Sequence, residues 1–533
     1  MSTDDSRSVM TDDQRGRPMT AAGRGTDGLV VETSHGPVRG SDDGEVRCWL
    51  GIRYAAAPVG ELRWRAPQPP QPWREPADAT RVGPVCPQPT DPRIPLDLGA
   101  PQGADCLSLN VWTSSDTEPG AGKPVLVWVH GGAYVLGSSA QPLYHGGVLA
   151  RSGDAVIVTL NYRLGPLGFL DLSGFGDGFE TNLGLRDVLF ALQWVRDNIA
   201  AFGGDPNRVT LFGESAGGGI VTTLLTSPAA AGLVSAAIAQ SSPATSIYSQ
   251  ERAQRVAGTF LDLLGVGRDG AHRLPELPTA AILDAAKRLF DRIPRQTPGM
   301  LAFAPIVDGD VVPAHPVRSA REGRSLPVPL IIGTNKHEAA LFRLLKSPLM
   351  PITPQALRAM FETIAAEQPG LQLPSPEQLR TVYQGRGKVP GMRVARDVGF
   401  RMPSIWFAEG HSQVAPVYLY RFDFCTPMLR LLRLGAAHAT ELPYVWGNLV
   451  QGPKDPTFRL GGLRTGRAVS ARIRARWLSF AADGVPAAPS APRWRPYTAA
   501  DRATLVIDAE DHLVTDLDRP IREAWGGEVL SFG

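Results

Sequence analysis

Continuous apolar runs mark the buried strands of this chain. Pro124–Val129 and Ala155–Leu160 are apolar at nearly every position, which is typical of strands that are covered on both faces. Shorter runs of the same kind occupy Val209–Phe212, Ala236–Gln240 and Val328–Ile332. The pattern predicts a large, mostly parallel central sheet with helices on both sides.

Helical periodicity fills the stretches between these strands. From Gly184 to Phe202, apolar residues recur at steps of three and four, which places them on one helical face. A segment that ends at Arg324 and another from Ser347 to Glu409 show the same periodicity, interrupted by prolines. Alternating strands and helices predict an α/β fold, in which the two helical insertions cap the functional site.

Shorter, alternating strands lie near the beginning of the chain. Val30–Thr33 and Val46–Ile52 predict a small N-terminal antiparallel edge, and the proline-rich run Pro58–Pro72 predicts a loop that wraps around the domain. Leu107–Trp112 is the next predicted strand, and Thr504–Ile507 is the last.

Residues 29–533 are predicted to form a single domain, because they contain no internal repeat and no interdomain linker. Residues 1–28 are rich in Asp, Ser, Thr, Arg and Gly and lack the apolar centre of a signal peptide, so they predict a disordered tail and a cytoplasmic location. The chain also contains no apolar run near the ~20 residues that cross a bilayer.

Charge and cysteine content narrow the class of partner. The 54 basic and 52 acidic side chains leave a net charge of +2, which does not favour nucleic acid or an anionic membrane. The four cysteines lack the spacing of a metal site. The sequence therefore predicts a small, weakly charged partner, with no metal and no cofactor.

The predicted strand Val209–Phe212 leads into the motif Gly213-Glu214-Ser215-Ala216-Gly217. A Gly-x-Ser-x-Gly motif between a strand and a helix is a nucleophile elbow. Gly213 and Gly217 remove the Cβ atoms that would collide across so sharp a turn. Ser215 is the predicted nucleophile, and the Ala216 amide points to where an oxyanion would form.

A serine nucleophile needs a base and an acid that orients the base. In this type of fold the acid and then the histidine follow the serine along the chain. Glu338 lies just beyond the strand Val328–Ile332 and is the preferred acid. Asp308 and Asp310 compete with it, although their sequence is typical of a tight turn, where Asp bonds to its own backbone.

Three histidines follow Glu338. His438 lies in a loop of small residues that would let its ring approach the serine, whereas His411 and His512 have polar neighbours and are expected at the surface. From spacing alone, a structural histidine with satisfied hydrogen bonds remains the favoured interpretation for any one of them.

The segment His130–Tyr134 directly follows the predicted strand that ends at Val129. Its small residues let backbone amides approach a reacting carbonyl oxygen, as in the oxyanion loops of lipases and esterases. A Gly-Gly pair after a strand is more often only a turn. Together with the elbow, it predicts an oxyanion loop.

Several further motifs lie in order along the chain, at Gly51–Ala55, Asp105–Trp112, Asn161–Gly165, Phe202–Pro206, Gly213–Gly218 and Glu441–Gly447. With them the chain, from about Gly28 to Trp525, resembles the type-B carboxylesterases. These are the cholinesterase-like branch of the α/β-hydrolases, and the likeness is greatest to their bacterial para-nitrobenzyl-esterase-like members.

The resemblance implies an α/β-hydrolase fold and a role for each matching residue. The catalytic triad would be Ser215, Glu338 and His438. The oxyanion hole would use the amides of Gly132, Ala133 and Ala216. Glu214 and Glu441 match carboxylates that support the site, and we interpret them as buried structural acids with paired hydrogen bonds.

The function implied is that of a serine carboxylesterase. It would hydrolyse carboxylic esters with small to medium, hydrophobic acyl or alcohol groups through an acyl-enzyme, as a monomer or weak homodimer. Carbamates, amides or lactones are alternative substrates of the same triad. A non-catalytic cholinesterase-like binding protein is the alternative of another class, disfavoured because all three triad residues are present.

The region between Cys86 and Cys106 differs from the family in two respects. It lacks the aromatic ring that holds quaternary ammonium in cholinesterases, so choline esters are not favoured. Ala104 replaces a glutamate that usually pairs with an arginine. The two cysteines match the family's first disulfide, which we predict in the purified protein, although a reducing cytosol disfavours the bond.

Two surface features complete the expectations. The apolar segment Phe422–Leu434 is predicted to line the pocket mouth and to favour hydrophobic esters. Arg472, Arg474 and Arg476 are predicted to lie on a solvated helix face.

Overall fold

The computed structural model describes residues 29–90, 96–383, 390–449 and 456–532. The predicted tail, residues 1–28, lies outside the described residues. That residues 29–533 form a single domain stays a prediction.

Sixteen strands build three sheets in the described chain. The strands are β1 (Val30–Thr33), β2 (Gly36–Arg39), β3 (Ser41–Asp42), β4 (Val46–Arg53), β5 (Ala77–Asp78), β6 (Ser108–Ser114), β7 (Lys123–Val129), β8 (Val156–Leu160), β9 (Gly204–Glu214), β10 (Ala236–Gln240), β11 (Tyr248–Ser249), β12 (Ile306–Val307), β13 (Leu330–Asn335), β14 (Val417–Phe422), β15 (Ala503–Ile507) and β16 (His512–Thr515).

The central sheet has eleven strands in the order β16, β15, β14, β13, β10, β9, β7, β8, β6, β4, β3. The strands from β8 through β15 in this order pair in parallel, whereas β6, β4 and β3 pair antiparallel at one edge and β16 at the other. The interior of β7, β8, β10 and β13 is fully buried. The predicted mostly parallel sheet with an antiparallel edge is therefore confirmed.

Fifteen α-helices surround the central sheet in the described residues. They are α1 (Gly147–Gly153), α2 (Leu183–Asn198), α3 (Ala216–Leu224), α4 (Gln250–Leu264), α5 (Thr279–Gln296), α6 (Pro316–Arg321), α7 (Ala339–Leu344), α8 (Pro354–Glu367), α9 (Pro376–Tyr383), α10 (Pro390–Arg396), α11 (Met402–His411), α12 (Pro427–Leu431), α13 (Leu442–Trp446), α14 (Leu463–Asp483) and α15 (Arg519–Trp525).

The nucleophile strand β9 is longer than predicted. It begins at Gly204, which pairs with Lys123, and the register with β7 shifts between Lys123 and Val125. Pro206 lies in this irregular part, where its missing N–H breaks no regular ladder bond. The strand therefore begins five residues before the predicted run Val209–Phe212.

His411 does not lie at the surface as predicted. It is fully buried at the end of α11, with its two ring nitrogens 2.8 Å from Ser325 Oγ and 2.8 Å from the Val328 carbonyl. Burial lowers the pKa of His411, although the bond to Val328 opposes the shift. The surface prediction rested on the polar residues beside His411 in the sequence. The hydrogen-bond partners of His411, however, come from another segment of the chain.

The prediction of a solvated arginine face on α14 is wrong for Arg476. Its side chain is buried, and Nη1 lies 2.5 Å from Asp511 Oδ2. Arg472 binds the same carboxylate at 2.9 Å, and Arg474 is half-buried. A buried guanidinium needs a carboxylate partner, and Asp511 lies beyond α14 in the sequence.

The predicted disulfide is absent from the structure, because Cys86 and Cys106 are free, buried thiols. Cys86 Sγ accepts a hydrogen bond from the Leu164 N–H at 3.3 Å. A hydrogen bond with Cys86, reinforced by burial, raises the pKa of the Cys106 thiol well above its usual value. Both sulfurs lie within the core.

Candidate active site

The turn at Ser215 joins the sheet to α3 without an intervening loop. β9 ends at Glu214, α3 begins at Ala216, and Ser215 has φ 56° and ψ −123°. This left-handed backbone is strained for a residue with a side chain. A Cβ on Gly217 would lie 2.1 Å from the Val129 carbonyl oxygen. Only glycine fits there, because the turn packs directly against β7.

The Ser215 side chain faces a cavity rather than a protein partner. Its hydroxyl makes no hydrogen bond within the described parts of the chain, and the residue is half-buried. The cavity has a volume of about 100 Å³ and is also lined by Ala133, Ala216 and apolar side chains that include Phe342 and Phe400. A reactive hydroxyl therefore opens into an apolar chamber.

Glu338 and His438 meet beside this turn, although 100 positions separate them in the sequence. His438 Nδ1 lies 2.6 Å from Glu338 Oε2. Because an ionised carboxylate only accepts hydrogen bonds, Nδ1–H is the donor. The side chains are 6% and 0% exposed, so water does not compete for this bond.

Glu338 is fixed by two further donors. Ser241 Oγ donates to its Oε1 at 2.7 Å, and the Asn335 backbone N–H donates to the same oxygen at 2.6 Å. Asp308, the competing acid, binds the backbone amides of Asp310 and Val312 instead. Of these acids, the one preferred from the sequence is the one that contacts His438.

The second ring nitrogen of His438 faces Glu214. Nε2 lies 3.2 Å from Glu214 Oε1, and no hydrogen bond joins His438 to Ser215 in the described structure. Phe400 and Phe342 cover the imidazole, with ring centroids 4.6 and 5.2 Å from it. His438 is thus hydrogen-bonded to Glu338 and only adjacent to Glu214, and the serine hydroxyl is unbound. Glu214 Oε1 is buried without a hydrogen-bond partner in the described residues, so the prediction of paired hydrogen bonds is wrong for Glu214.

The charges around His438 favour its protonated form. Burial opposes protonation, but the carboxylates of Glu214 and Glu338 outweigh it and raise the pKa of His438 to about 9. Burial raises the pKa of Glu214 to about 8, against the attraction of His438. Glu214 and His438 thus compete for protons within one buried contact.

Glu441 lies behind the triad residues in a paired network. Gln240 Nε2 donates to its Oε1 at 3.1 Å, and Asn335 Nδ2 donates to its Oε2. Asn335 also binds the Ala437 carbonyl at 2.7 Å, next to His438. This arrangement agrees with the interpretation of Glu441 as a buried structural acid, and it fixes the histidine loop against β13.

The three amides of the expected oxyanion hole have no acceptor in the described parts of the chain. Gly132 and Ala133 have φ 123° and 53°, and Ala133 and Ala216 line the same cavity as Ser215. The Gly132 carbonyl accepts hydrogen bonds from the backbone N–H groups of Val135 and Leu136, which closes the turn that follows. The unsatisfied N–H groups remain available to an oxygen beside Ser215.

The cavity walls come from both helical insertions. Gly299 and Leu301 follow α5, Met360 and Ile364 belong to α8, and Phe400 precedes α11. The predicted capping role of the insertions is borne out by this lining. No group of three or more His, Cys, Asp or Glu side chains in the described chain is arranged to hold a metal ion.

The segment Phe422–Leu434 does not line this cavity, contrary to expectation. Phe422 and Phe424 are buried in the core beneath the histidine loop, and Leu431 is 68% exposed at the surface. Phe342 and Phe400 provide the apolar wall instead.

Sequence reasoning missed Ser241, Asn335 and Gln240. Gln240 and Ser241 lie at and just beyond the carboxyl end of β10, the neighbour of β9, and Asn335 ends β13, which lies on the other side of β10. Polar residues at the carboxyl ends of strands near the nucleophile strand are the signal that could have revealed them. Without the strand order, that signal cannot be used.

Comparison with known proteins identifies the chain. The profile of the Carboxylesterase family matches residues 27–523. The chain belongs to this family, has the α/β-hydrolase fold, and is a carboxylic ester hydrolase.

The sequences and structures of individual relatives support this assignment. The chain is 38% identical to the para-nitrobenzyl esterase of Bacillus subtilis over 93% of its own length and 98% of that protein. It is 33% identical to the phenmedipham hydrolase of Pseudarthrobacter oxydans, over 92% of this chain and 97% of that one. A carboxylesterase structure from Geobacillus stearothermophilus superposes with a TM-score of 0.81 at 36% identity, covering 93% and 100% of the two chains.

Proposed function

We propose that Ser215 is the nucleophile of this carboxylesterase, His438 its general base and Glu338 the acid that orients the base. The observation that carries the proposal is the buried 2.6 Å contact between His438 Nδ1 and Glu338 Oε2 beside the strained Ser215 turn. Because Glu338 holds Nδ1, Nε2 is the nitrogen left to take the serine proton.

The reaction proceeds in two steps. Ser215 Oγ attacks the ester carbonyl while His438 Nε2 accepts the hydroxyl proton, and the imidazolium then protonates the leaving alcohol. Water, activated by the same histidine, hydrolyses the acyl-enzyme. The bond between Nε2 and the hydroxyl forms when the ring turns from Glu214 towards Ser215, since catalytic hydrogen bonds are often formed only with substrate bound.

The amides of Gly132, Ala133 and Ala216 are the proposed oxyanion hole. Their support is the absence of a competing acceptor in the described residues and the position of two of them at the cavity. Each such donor contributes roughly 3 kcal/mol to transition-state stabilisation.

The proposed substrates are neutral esters with a small to medium hydrophobic acyl group. The support is the cavity of about 100 Å³ with its mainly apolar lining. An apolar group that leaves water for this cavity gains about 25 cal/mol per Å² of buried area, whereas a charged group would lose its hydration.

The test is to compare Ser215→Ala with Ser246→Ala. Ser246 lines the same cavity, so the control makes the same change without touching the proposed nucleophile. We expect kcat for para-nitrophenyl acetate to fall roughly 10⁴-fold or more in Ser215→Ala, with far less effect in the control. Near-normal hydrolysis by folded Ser215→Ala would refute the assignment.

In the part of the chain that the structure describes, no helix is long and apolar enough to cross a membrane. The proposed location is the cytoplasm, as predicted from the sequence. Monomer or weak homodimer stays a prediction, which light scattering on the purified protein would test.

A further inference from the structure

The segment Leu530–Phe532 lies at the cavity that contains Ser215, although it is far away in the sequence. Leu530, Ser531 and Phe532 all line the cavity. They are only 3%, 7% and 8% exposed, as core residues are. The segment is therefore part of the wall around the reacting group.

Hydrogen bonds hold Ser531 of this segment and the residues that lead into it from Gly526. After α15, Trp406 Nε1 donates to the Gly526 carbonyl at 3.1 Å. The Gln372 backbone N–H binds Glu528 Oε2 at 3.3 Å, and Gln368 Nε2 donates to the Ser531 carbonyl at 2.6 Å. These partners follow α8 or lie in α11, so the segment is tied to the insertion that caps the site.

The Phe532 ring packs among residues of both helical insertions. The guanidinium of Arg252 lies 5.3 Å from its centroid, and Tyr248 meets it edge-on at 6.4 Å. A Cβ on Gly299 would lie 3.5 Å from Phe532 Cζ and 2.8 Å from Met360 Sδ. Gly299 thus leaves space in which the phenyl ring and the Met360 thioether come together.

The cavity combines a reacting end with a mainly apolar wall. Ser215, Ala133 and Ala216 form the reacting end, whereas Met360 and Phe532 form part of the wall. During turnover the alcohol leaves for solvent after the first step, but the acyl group stays on the serine until water attacks. A mainly apolar wall of buried side chains suits the group that stays.

We infer that Leu530–Phe532 sets the acyl-chain length that this esterase accepts, with Phe532 as the main barrier to longer chains. The inference rests on the proposed function, because it requires the acyl group to be attached to Ser215. An acyl chain that extends from Ser215 beyond the free volume of the cavity meets the Phe532 ring. The packing around the ring and the hydrogen-bonded backbone prevent the ring from moving aside.

The test measures kcat/KM for para-nitrophenyl esters from acetate to decanoate. In Phe532→Ala, the ratio of decanoate to acetate should rise about tenfold or more, since each methylene group accommodated in a pocket changes specificity by such factors. Phe532→Leu should raise the ratio less, because more of the wall remains. If Phe532→Ala does not fold, Phe532→Leu and Leu530→Ala carry the test.

Phe290→Ala is the matched control. Phe290 is 9% exposed, nearly the same as Phe532, but it does not line the cavity. In Phe290→Ala, the ratio of kcat/KM for decanoate to that for acetate should equal the wild-type ratio, even if the variant is less stable. The inference is overturned if active Phe532 variants keep the wild-type ratio. Failure of the Ser215 assignment would instead appear as activity in Ser215→Ala.

Discussion

Glu214 occupies the side of His438 that must face Ser215 during the reaction. Its carboxylate lies 3.2 Å from His438 Nε2, the nitrogen that must take the proton of Ser215. A negative charge at this distance stabilises the imidazolium, which cannot act as a base. Glu214 therefore affects the protonation of His438 without contacting the ester.

Replacing Glu214 by Gln should make hydrolysis less sensitive to acid. Glu214 raises the pKa of His438, so removing its charge lowers that pKa. Because the base is active only when neutral, activity increases as pH rises through this pKa. The midpoint of the acidic limb of kcat/KM should therefore move to lower pH in Glu214→Gln, as measured with para-nitrophenyl acetate across a pH series.

Glu441→Gln is the control for this prediction. Glu441 also raises the pKa of His438, but by less than Glu214 and Glu338 do. The acidic limb should shift less in Glu441→Gln than in Glu214→Gln. An unchanged or higher midpoint in Glu214→Gln would show that Glu214 does not control the protonation of the base.

At the scale of elements, one buried ion pair joins three parts of the fold. Arg163 follows β8 and binds Asp187 of α2 through Nε at 2.8 Å and Nη2 at 2.6 Å. Its Nη1 also donates to the Arg65 carbonyl at 2.7 Å, in the proline-rich loop. Both side chains are almost completely buried, so neither charge has water as an alternative partner.

Arg163→Met should lower the free energy of unfolding by about 3–5 kcal/mol, because it leaves the Asp187 charge buried and unpaired. Thermal and urea unfolding followed by circular dichroism measure the loss. The double variant Arg163→Met/Asp187→Leu should recover part of it, since no isolated charge remains.

Arg53→Met makes the same change in an exposed pair. Arg53 and Asp105 are 57% and 33% exposed and 2.5 Å apart. Pairs of this kind contribute at most about 1 kcal/mol. If Arg163→Met were no more destabilising than Arg53→Met, the buried pair of Arg163 and Asp187 would not stabilise the packing of these three parts of the fold.

At the scale of the whole molecule, the sequence predicts most of the sheet but not its order. Runs such as Pro124–Val129 predict buried parallel strands, because both faces must be apolar. Sequence gives no signal that β10 pairs with β13. That pairing brings Ser241 to Glu338, so this partner could not be predicted.

The candidate site divides in the same way. The elbow is a local motif, and the clash of a Gly217 Cβ with the Val129 carbonyl explains its glycines. The contact of Glu338 with His438 depends on tertiary structure, as do the burial of His411 and of Arg476. His438 was therefore assigned from the resemblance to a family and not from its spacing in the sequence.

The triad assignment is tested most directly by identifying the residue that a fluorophosphonate probe modifies and by measuring the rate of labelling. We expect one adduct, placed on Ser215 by peptide mass spectrometry, and much slower labelling in folded His438→Ala because the hydroxyl has lost its base. An adduct on another residue, or an equal labelling rate in His438→Ala, would contradict the assignment of Ser215 and His438.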